Sequence, residues 1–248
     1  SISGTGGSGG DNNHGVQLSG ATVLSNAGAL TVTATAGGGG SSRGLFSGSA
    51  DTLGGAGQSG NITVRADRFN TPASLSITST GTATVEPLSG STSFGSAFNS
   101  LRFHFAPSLT GLTLGRAGNT AGITLGQAHS ISGAITVHGG AIAIDGALSA
   151  TNGATPNPTL YNIHLNASGA VTQSAAITAA GLGLNGAGGF TLNHTGNSVG
   201  TLAGGSSSAR LGSLSFTHAT ALTVGQVNPT GIWATGNVRV ETRSGNLM

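Results

Sequence analysis

The sequence predicts an all-β protein built as a parallel β-helix (β-solenoid) with coils of about 20 residues. Three observations favour this fold: many short runs in which apolar and polar residues alternate, no helical apolar stripe, and a composition rich in glycine and poor in charge. Of the 248 residues 46 are glycine, and charged residues make up 6%. Ordinary globular domains carry about 25% charged residues, so serine, threonine, asparagine and backbone must cover most of this surface.

Alternation of apolar and polar residues marks the candidate strands along the whole chain. Turn-forming residues separate these runs. In chain order the predicted strands are ALTVTA (29–34), NITVR (61–65), SLSIT (74–78), TATVE (82–86), LRFHF (101–105), LTL (112–114), ITL (123–125), AITVH (134–138), AIAID (141–145), YNIHL (161–165), FTLN (190–193), LSFT (214–217), LTV (222–224) and NVRVE (237–241). Runs of this length with no helical pattern between them predict an all-β fold.

The spacing of Gly-Asn pairs favours a solenoid over a sandwich or a barrel. Pairs that open an alternating run begin at Gly60, Gly118, Gly196 and Gly236. The three intervals between them lie close to threefold, fourfold and twofold multiples of about 19 to 20 residues, and a fixed period of this size signals a solenoid.

The physical chemistry of stacked coils accounts for the composition. Successive coils of a parallel β-helix lie about 4.8 Å apart, so equivalent residues form ladders. Like charges in such a ladder repel, inward positions favour small or branched apolar side chains, and corners favour glycine and asparagine. We therefore interpret residues 1–248 as a single continuous solenoid segment of a longer chain, with flexible Gly/Ser-rich loops near 36–44 and 204–210.

Charge, cysteine content and hydropathy restrict the partners that the chain is expected to have. The eight basic residues are all arginines and are scattered, so we predict no nucleic-acid partner. Cysteine is absent and the seven histidines show no close pairing, so we predict no disulfide, no metal site and no cofactor. No apolar run approaches the roughly 20 residues of a membrane-spanning helix, so we predict no membrane-spanning segment.

One group of residues supports a catalytic alternative. Asp67, Glu86 and His104 follow one another at two nearly equal intervals, each close to one predicted coil. On a β-helix this spacing would bring them to one face, beside Arg65 and Arg68. Paired carboxylates can cleave a glycosidic bond by acid–base or nucleophilic chemistry. The alternative is therefore a polysaccharide-active β-helix enzyme, a glycoside hydrolase or lyase, centred on Asp67 and Glu86.

The motif GGSGGD (6–11) has two interpretations. It matches half of a calcium-binding nonapeptide repeat. Such sites need tandem copies, because each ion lies between consecutive turns, and this chain has no second copy. We interpret the motif as a flexible loop.

A cluster of phenylalanines interrupts the aliphatic pattern. Four of the eight phenylalanines lie within residues 94–105. In LRFHF (101–105), alternation places Leu101 with both phenylalanines on one face and Arg102 with His104 on the other. We predict a local core plug or a packed insertion, and an exposed adhesive patch is the alternative.

Three stretches share a pattern of short alternating strands separated by Gly/Asn turns. They are AGNTAGITLGQAHSISGAITVHGGAIAIDGALSATNG (117–153), GAVTQSAAITAAGLGLNGAGGFTLNHTGNSVGTLAGG (169–205) and ALTVGQVNPTGIWATGNVRVETRSGNL (221–247). They resemble the strand repeats of filamentous-haemagglutinin-like giant bacterial surface exoproteins, the passengers of two-partner secretion. The resemblance covers the second half of the chain well and the first half by composition. It implies a right-handed β-helix, export through an outer-membrane transporter, and a role in adhesion or aggregation.

The position of one motif departs from that family. Its secretion domain lies at the extreme N-terminus and carries a signature similar to NPNGI, whereas NPTGI here occupies residues 228–232. We interpret NPTGI as an ordinary turn and the chain as shaft rather than secretion signal.

These features predict a structural or adhesive shaft segment of a secreted bacterial cell-surface fibre, active in adhesion, aggregation or filament assembly. The expected partners are other copies of the chain or the rest of a longer chain, host or bacterial surface glycans, and the outer-membrane transporter during export. Because both terminal coils lack a recognisable cap, we expect end-to-end association. We also expect amide replacements of Asp67 or Glu86 to leave stability nearly unchanged.

Overall fold

The computed structural model describes residues 1–155 and 157–248, and the protein is all-β, as predicted. The described residues form 26 strands and no helix. In chain order the strands are β1 (Ile2–Thr5), β2 (Val16–Leu18), β3 (Thr22–Val23), β4 (Leu30–Thr35), β5 (Leu45–Ser47), β6 (Asp51–Gly54), β7 (Ile62–Ala66), β8 (Phe69–Asn70), β9 (Leu75–Thr78), β10 (Thr82–Glu86), β11 (Phe98–Asn99), β12 (Phe103–Phe105), β13 (Gly111–Leu114), β14 (Ile123–Leu125), β15 (His129–Ile131), β16 (Ala134–Gly139), β17 (Ile142–Ile144), β18 (Leu148–Ala150), β19 (Ile163–Ala167), β20 (Val171–Gln173), β21 (Ile177–Asn185), β22 (Gly189–Leu192), β23 (Ser198–Gly204), β24 (Ser213–His218), β25 (Thr223–Val224) and β26 (Val238–Thr242).

Every ladder between these strands is parallel, and through most of the chain each strand pairs with the third strand before it and the third after it. Three faces result. Face 1 contains β1, β4, β7, β10, β13, β16, β19, β21, β23 and β25; face 2 contains β2, β5, β8, β11, β14, β17, β20, β22, β24 and β26; face 3 contains β3, β6, β9, β12, β15, β18 and the first residues of β21 and β23. A chain that visits three faces in turn and pairs with its own previous coil is a parallel β-helix.

The coils are less uniform in length than the sequence analysis predicted. Ile163 pairs with Leu182, whereas Leu30 pairs only with Ile62, after a much longer stretch of chain. The shortest coils consist of three strands and tight corners, and the longest carry an added loop such as residues 36–44. The predicted length of about 20 residues is therefore correct for the shortest coils only.

The Gly-Asn pairs that suggested the period do not occupy equivalent places in the coils. Asn61 precedes β7 on face 1, Asn119 lies before β14 on face 2, and Asn197 precedes the part of β23 that lies on face 3. Their near-regular spacing is a coincidence of coil lengths, so this argument for a solenoid was wrong although its conclusion was correct.

One apolar core fills the inside of the coils. Inward residues stack in register on face 1, and one aliphatic ladder contains Val32, Val64, Val85, Leu114, Val137, Leu165 and Leu184. All seven side chains are fully buried. Burial of a side chain of this size contributes about 1.5–3 kcal/mol, so the alternation in the sequence is the direct source of the stability of the stack.

The phenylalanines form a plug in the middle of this core, as predicted. The plug consists of Phe69, Phe94, Phe98, Phe103 and Phe105. Phe69 contacts three of the other rings edge-on at centroid distances of 5.3 to 5.7 Å, and the other four rings are buried. Through Phe69 and Phe98 the plug joins β8 to β11, where the hydrogen-bonded ladder of face 2 is interrupted.

The predicted strand LRFHF begins later than expected. Phe103 and Phe105 point inward and His104 outward, as alternation requires, but Leu101 is 50% exposed. Leu101 and Arg102 belong to a turn, and the strand starts at Phe103. The expectation that Leu101 shares the inward face was therefore wrong.

The glycine-rich loop at 36–44 packs on the loop at 6–14 of the previous coil. Backbone groups of the two loops exchange hydrogen bonds, and the backbone N–H of Asn13 donates to Ser42 Oγ at 3.0 Å. The loop near 204–210 is hydrogen-bonded within itself and to face 1. These contacts stack some loops in the same way as the strands.

Candidate functional site

The structure places Glu86 one coil from Arg65, two residues before Asp67, and places His104 on another face. Glu86 ends β10 and pairs in register with Arg65 of β7. One carboxylate oxygen accepts a hydrogen bond from Arg65 Nε at 2.7 Å, and the other lies 3.1 Å from Arg116 Nη2. The Glu86 side chain is only 13% exposed. Both of its oxygens are engaged by guanidinium groups, which is the arrangement of a structural ion pair.

Asp67 and His104 lie in other environments. Asp67 Oδ1 accepts a hydrogen bond from the backbone N–H of Ala36 at 3.1 Å and so fixes the loop at 36–44. His104 lies exposed in β12 on face 3, in register with Ser76. The coil that begins at Thr82 closes only at Gly111. The interval from Glu86 to His104 is therefore shorter than this coil and leads to another face rather than to the same one.

The other predicted motifs show no clustered chemistry. In GGSGGD, the Asp11 carboxylate accepts a hydrogen bond from Ser41 N at 3.3 Å. Within residues 1–155 and 157–248, no three His, Asp or Glu side chains lie close enough together to hold a metal ion. In the same part of the chain no helix has the length and apolarity needed to cross a membrane.

Three polar side chains line the edge between face 1 and face 2, and we call them the amide row: His138, Asn166 and Asn185. They lie at the ends of β16, β19 and β21 and are in register from coil to coil. The residue before each one is a buried aliphatic in the core, so alternation directs the amide row outward. Successive members are separated by one coil, about 4.8 Å.

An open groove of about 370 Å³ runs beside the amide row. Its lining comes from residues 117–120, 138–139, 166–168 and 185–187. Apart from the amide row these are mostly glycine, alanine, serine and threonine, and none carries a formal charge. Because the small side chains leave the backbone open at four successive corners, the groove follows the axis of the coils.

Burial controls the protonation of the histidine in this groove. Desolvation lowers the pKa of His138 from its usual value of 6.5. At neutral pH its imidazole is therefore uncharged and offers one N–H donor and one nitrogen acceptor. Desolvation also lowers the pKa of His164, although the backbone of Asn228 opposes this effect.

Two further histidines lie inside the protein, where sequence reasoning placed none. His129 is 3% exposed, and its Nε2 lies 2.8 Å from Ser100 Oγ. Burial and the nearby His104 lower its pKa to about 4. His218 Nε2 accepts a hydrogen bond from Val199 N at 2.7 Å. Both rings replace a core aliphatic at an inward strand position.

NPTGI (228–232) is part of a tight turn, as predicted, and this turn folds back onto face 1. Gln226 and Thr230 form an antiparallel bridge. Val227 is buried and lies over Gly181, where an added Cβ would come within 2.8 Å of a Val227 methyl group. A side chain at position 181 would therefore compete with the turn for this space.

Trp233 is exposed next to that turn. Its neighbours Ile232 and Ala234 pack against the core, whereas the Trp233 side chain is 42% exposed. The guanidinium carbon of Arg210 lies 5.5 Å from the centroid of its ring, a cation–π contact on one ring face.

No protein-family model, curated protein or solved structure matches the chain. The function must therefore be argued from the stacked coils and from what their outer surface presents.

The amide row could have been recognised in part from the sequence. The three residues follow the aliphatic runs AITV, IHL and LGL and end an alternating segment. Their alignment depends on the lengths of the two coils between them, and the coil from His138 to Asn166 is longer than the coil from Asn166 to Asn185. The sequence does not reveal these lengths.

Proposed function

We propose that this chain is a structural and adhesive shaft segment of a secreted bacterial cell-surface fibre. The observation that carries the proposal is the continuous stack of coils, in which one apolar core runs from Val16 to Leu222. Each coil contacts mainly the coils before and after it, so the shape extends by repetition. A molecule of this kind acts through its length and through the rows on its outer faces.

The outer surface suits an extracellular shaft. On face 1, five threonines occupy successive coils in register: Thr31, Thr63, Thr84, Thr113 and Thr136. Hydroxyl groups on β-branched side chains favour strand geometry and remain hydrated without charge repulsion between coils. The absence of cysteine suits a chain that crosses membranes unfolded and meets an oxidising exterior. Export through an outer-membrane transporter belongs to the same proposal.

The polysaccharide-cleaving alternative receives less support from the geometry. Glu86 is held between Arg65 and Arg116, and Asp67 is hydrogen-bonded to the backbone of a loop. His104 lies on another face. A glycosidase needs two carboxyl groups that face one another across the scissile bond, and these contacts give each of the two carboxylates a structural role. We retain the shaft as the proposed function.

A deletion of one whole coil tests the shaft. Because Ile163 and Leu182 are in register, removal of residues 163–181 joins equivalent points of neighbouring coils. In the cells that make the protein, we expect this variant to reach the surface and to form fibres one coil, about 4.8 Å, shorter. Removal of residues 163–172 alone is the matched control, since it breaks the register of every later coil and should abolish surface display.

Antibodies against residues 1–248 provide the readout on intact cells. Surface labelling of the native and whole-coil-deleted proteins, with loss of labelling for the control, supports the shaft. Labelling confined to permeabilised cells, or equal tolerance of both deletions, would contradict it.

A further inference from the structure

The register that aligns the amide row continues over two further coils, beyond the groove, to the exposed Trp233. Leu184 pairs with Gly204, and Gly204 bridges to Ile232, both in parallel register. The residues that follow these three are Asn185, Gly205 and Trp233. The outward line along this edge therefore reads His138, Asn166, Asn185, Gly205, Trp233 over successive coils. Two polar amides and an imidazole are thus followed, after a glycine gap, by an indole ring.

The amides of this row have hydrogen-bonding capacity to spare. Asn185 makes no side-chain hydrogen bond to any described residue, and the Asn166 amide nitrogen makes one long bond, 3.4 Å, to Val137 O. Each amide has two N–H donors and an acceptor oxygen. His138, uncharged at neutral pH because burial lowers its pKa, adds one donor and one acceptor. The row thus offers both donors and acceptors at every coil.

The buried side chain of Asn119 fixes the backbone that forms the bottom of the groove. Asn119 is 4% exposed, and its Nδ2 donates to His138 O at 2.7 Å. Its Oδ1 accepts from the backbone N–H of Phe94 at 3.2 Å. Because the buried Asn119 ties the loop before β14 to the end of β16, the groove exists before any ligand binds.

We propose that this edge is a binding track for an extended, uncharged polysaccharide lying parallel to the axis of the coils. Sugar hydroxyls are both donors and acceptors and match the amides and the neutral imidazole. The rise per coil of about 4.8 Å is close to the length of one pyranose ring in an extended chain, so successive sugars meet successive coils. The ring face of Trp233 opposite Arg210 provides an apolar platform for the C–H face of a sugar.

Because the groove carries no charge, it favours an uncharged polysaccharide over an acidic one. None of the residues that line the groove carries a formal charge. Arg116 borders it, but its guanidinium is bound to Glu86 and to backbone carbonyls of the loop at 87–97. An acidic polysaccharide would lose hydration here without gaining a counter-charge. This inference rests on the proposed function, because it names the class of partner to which the shaft adheres.

Calorimetric titration of the 1–248 protein with soluble oligosaccharides tests the track. The probes are hexamers of β-1,4-linked glucose and of β-1,4-linked N-acetylglucosamine, with an oligogalacturonate as the acidic comparison. We expect at least one neutral hexamer to bind and the oligogalacturonate not to bind. The double variant Asn166→Ala, Asn185→Ala should weaken binding at least tenfold, and Trp233→Ala about tenfold, since each removes contacts worth on the order of 1–2 kcal/mol.

Asn70→Ala is the matched control, because Asn70 is an exposed amide on face 2; it should bind as the native protein does. Circular dichroism and thermal unfolding of all variants separate loss of binding from loss of fold. The track is overturned if no neutral hexamer binds, if the acidic chain binds as well, or if the Asn70 variant loses as much affinity as the double variant. Such a result leaves the shaft intact when the whole-coil deletion still reaches the surface, so the two proposals fail separately.

Discussion

At the scale of single residues, the core of this protein accepts polar groups only where each has a partner. Within residues 1–155 and 157–248, every buried side-chain nitrogen or oxygen has a hydrogen-bond partner. Asn197 illustrates this rule, because its side chain bonds to the backbone of Ile177, Leu192 and Thr217. An unpaired polar group in such a core costs about 1–3 kcal/mol. Replacing either partner of such a buried hydrogen bond should therefore lower the free energy of unfolding measurably.

His129 should make stability depend on pH below neutrality. Its folded pKa of about 4 lies below the value of about 6.5 for an unfolded histidine, so between these values the unfolded chain binds more protons. The contribution to stability is fully present above pH 6.5 and is lost as pH falls towards 4, by roughly 3 kcal/mol. Urea unfolding measured at intervals from pH 7 to pH 4 checks this.

His129→Gln, which keeps a hydrogen-bonding group beside Ser100, should flatten that pH profile. His104→Gln should keep most of the pH dependence, because burial is the larger cause of the low pKa. Identical slopes for the native protein and the His129 variant would exclude His129 as the source.

Glu86→Gln should lower the free energy of unfolding by about 1–2 kcal/mol, because it removes the charge shared by Arg65 and Arg116 in a partly buried site. This revises the expectation from sequence that the amide would be nearly neutral. Glu241→Gln is the matched control, since its ion pair with Arg239 is exposed, and it should change stability by less than about 0.5 kcal/mol. Urea denaturation of both variants at pH 7 compares them, and equal effects would contradict the structural role of Glu86.

At the scale of elements, strands and turns differ in how far the sequence predicts them. Alternation predicted β4, β7, β9, β10 and β16 closely, because period two directly reflects which side chains enter the core. Very short strands such as β8 and β11 were missed, since such runs carry no measurable period. The contact of residues 225–231 with face 1 was also missed, because it depends on a register between distant segments.

The packing of that turn against Gly181 gives a prediction at this scale. Gly181→Ala should displace the turn, because the new Cβ would lie 2.8 Å from both a Val227 methyl group and Asn162 Oδ1. We expect faster amide exchange at residues 225–231 and a loss of about 1–2 kcal/mol. Gly111→Ala is the control: it lies in the same outward row of face 1, but its nearest neighbour is 3.4 Å away. Hydrogen-exchange mass spectrometry distinguishes the two, and unchanged exchange in the Gly181 variant would show that the turn is held by other contacts.

At the scale of the whole molecule, composition predicted the architecture better than spacing did. Low charge and abundant glycine follow from stacking each coil on the next, and they indicate a solenoid whatever the lengths of the coils. Spacing brought Glu86 beside Arg65 but misplaced His104, for the reason that it failed for the Gly-Asn pairs: the coils differ widely in length, as the pairs Ile163–Leu182 and Leu30–Ile62 show. Residues distant in sequence thus align only where the intervening loops allow it, as they do for the amide row.

The parallel ladders would also decide how the proposed fibre responds to tension. The hydrogen bonds between coils point along the axis, so a force on the two ends pulls directly against one inter-coil layer at a time. Coils would then peel off in sequence instead of resisting together. Even the short coil that begins at Ile163 and closes at Leu182 stores chain that extends by about 3.3–3.6 Å per residue, whereas it occupies only about 4.8 Å of the folded rod. Each peeled coil would therefore lengthen the rod by many times its folded rise, so that the proposed fibre would extend and dissipate energy under load before it broke.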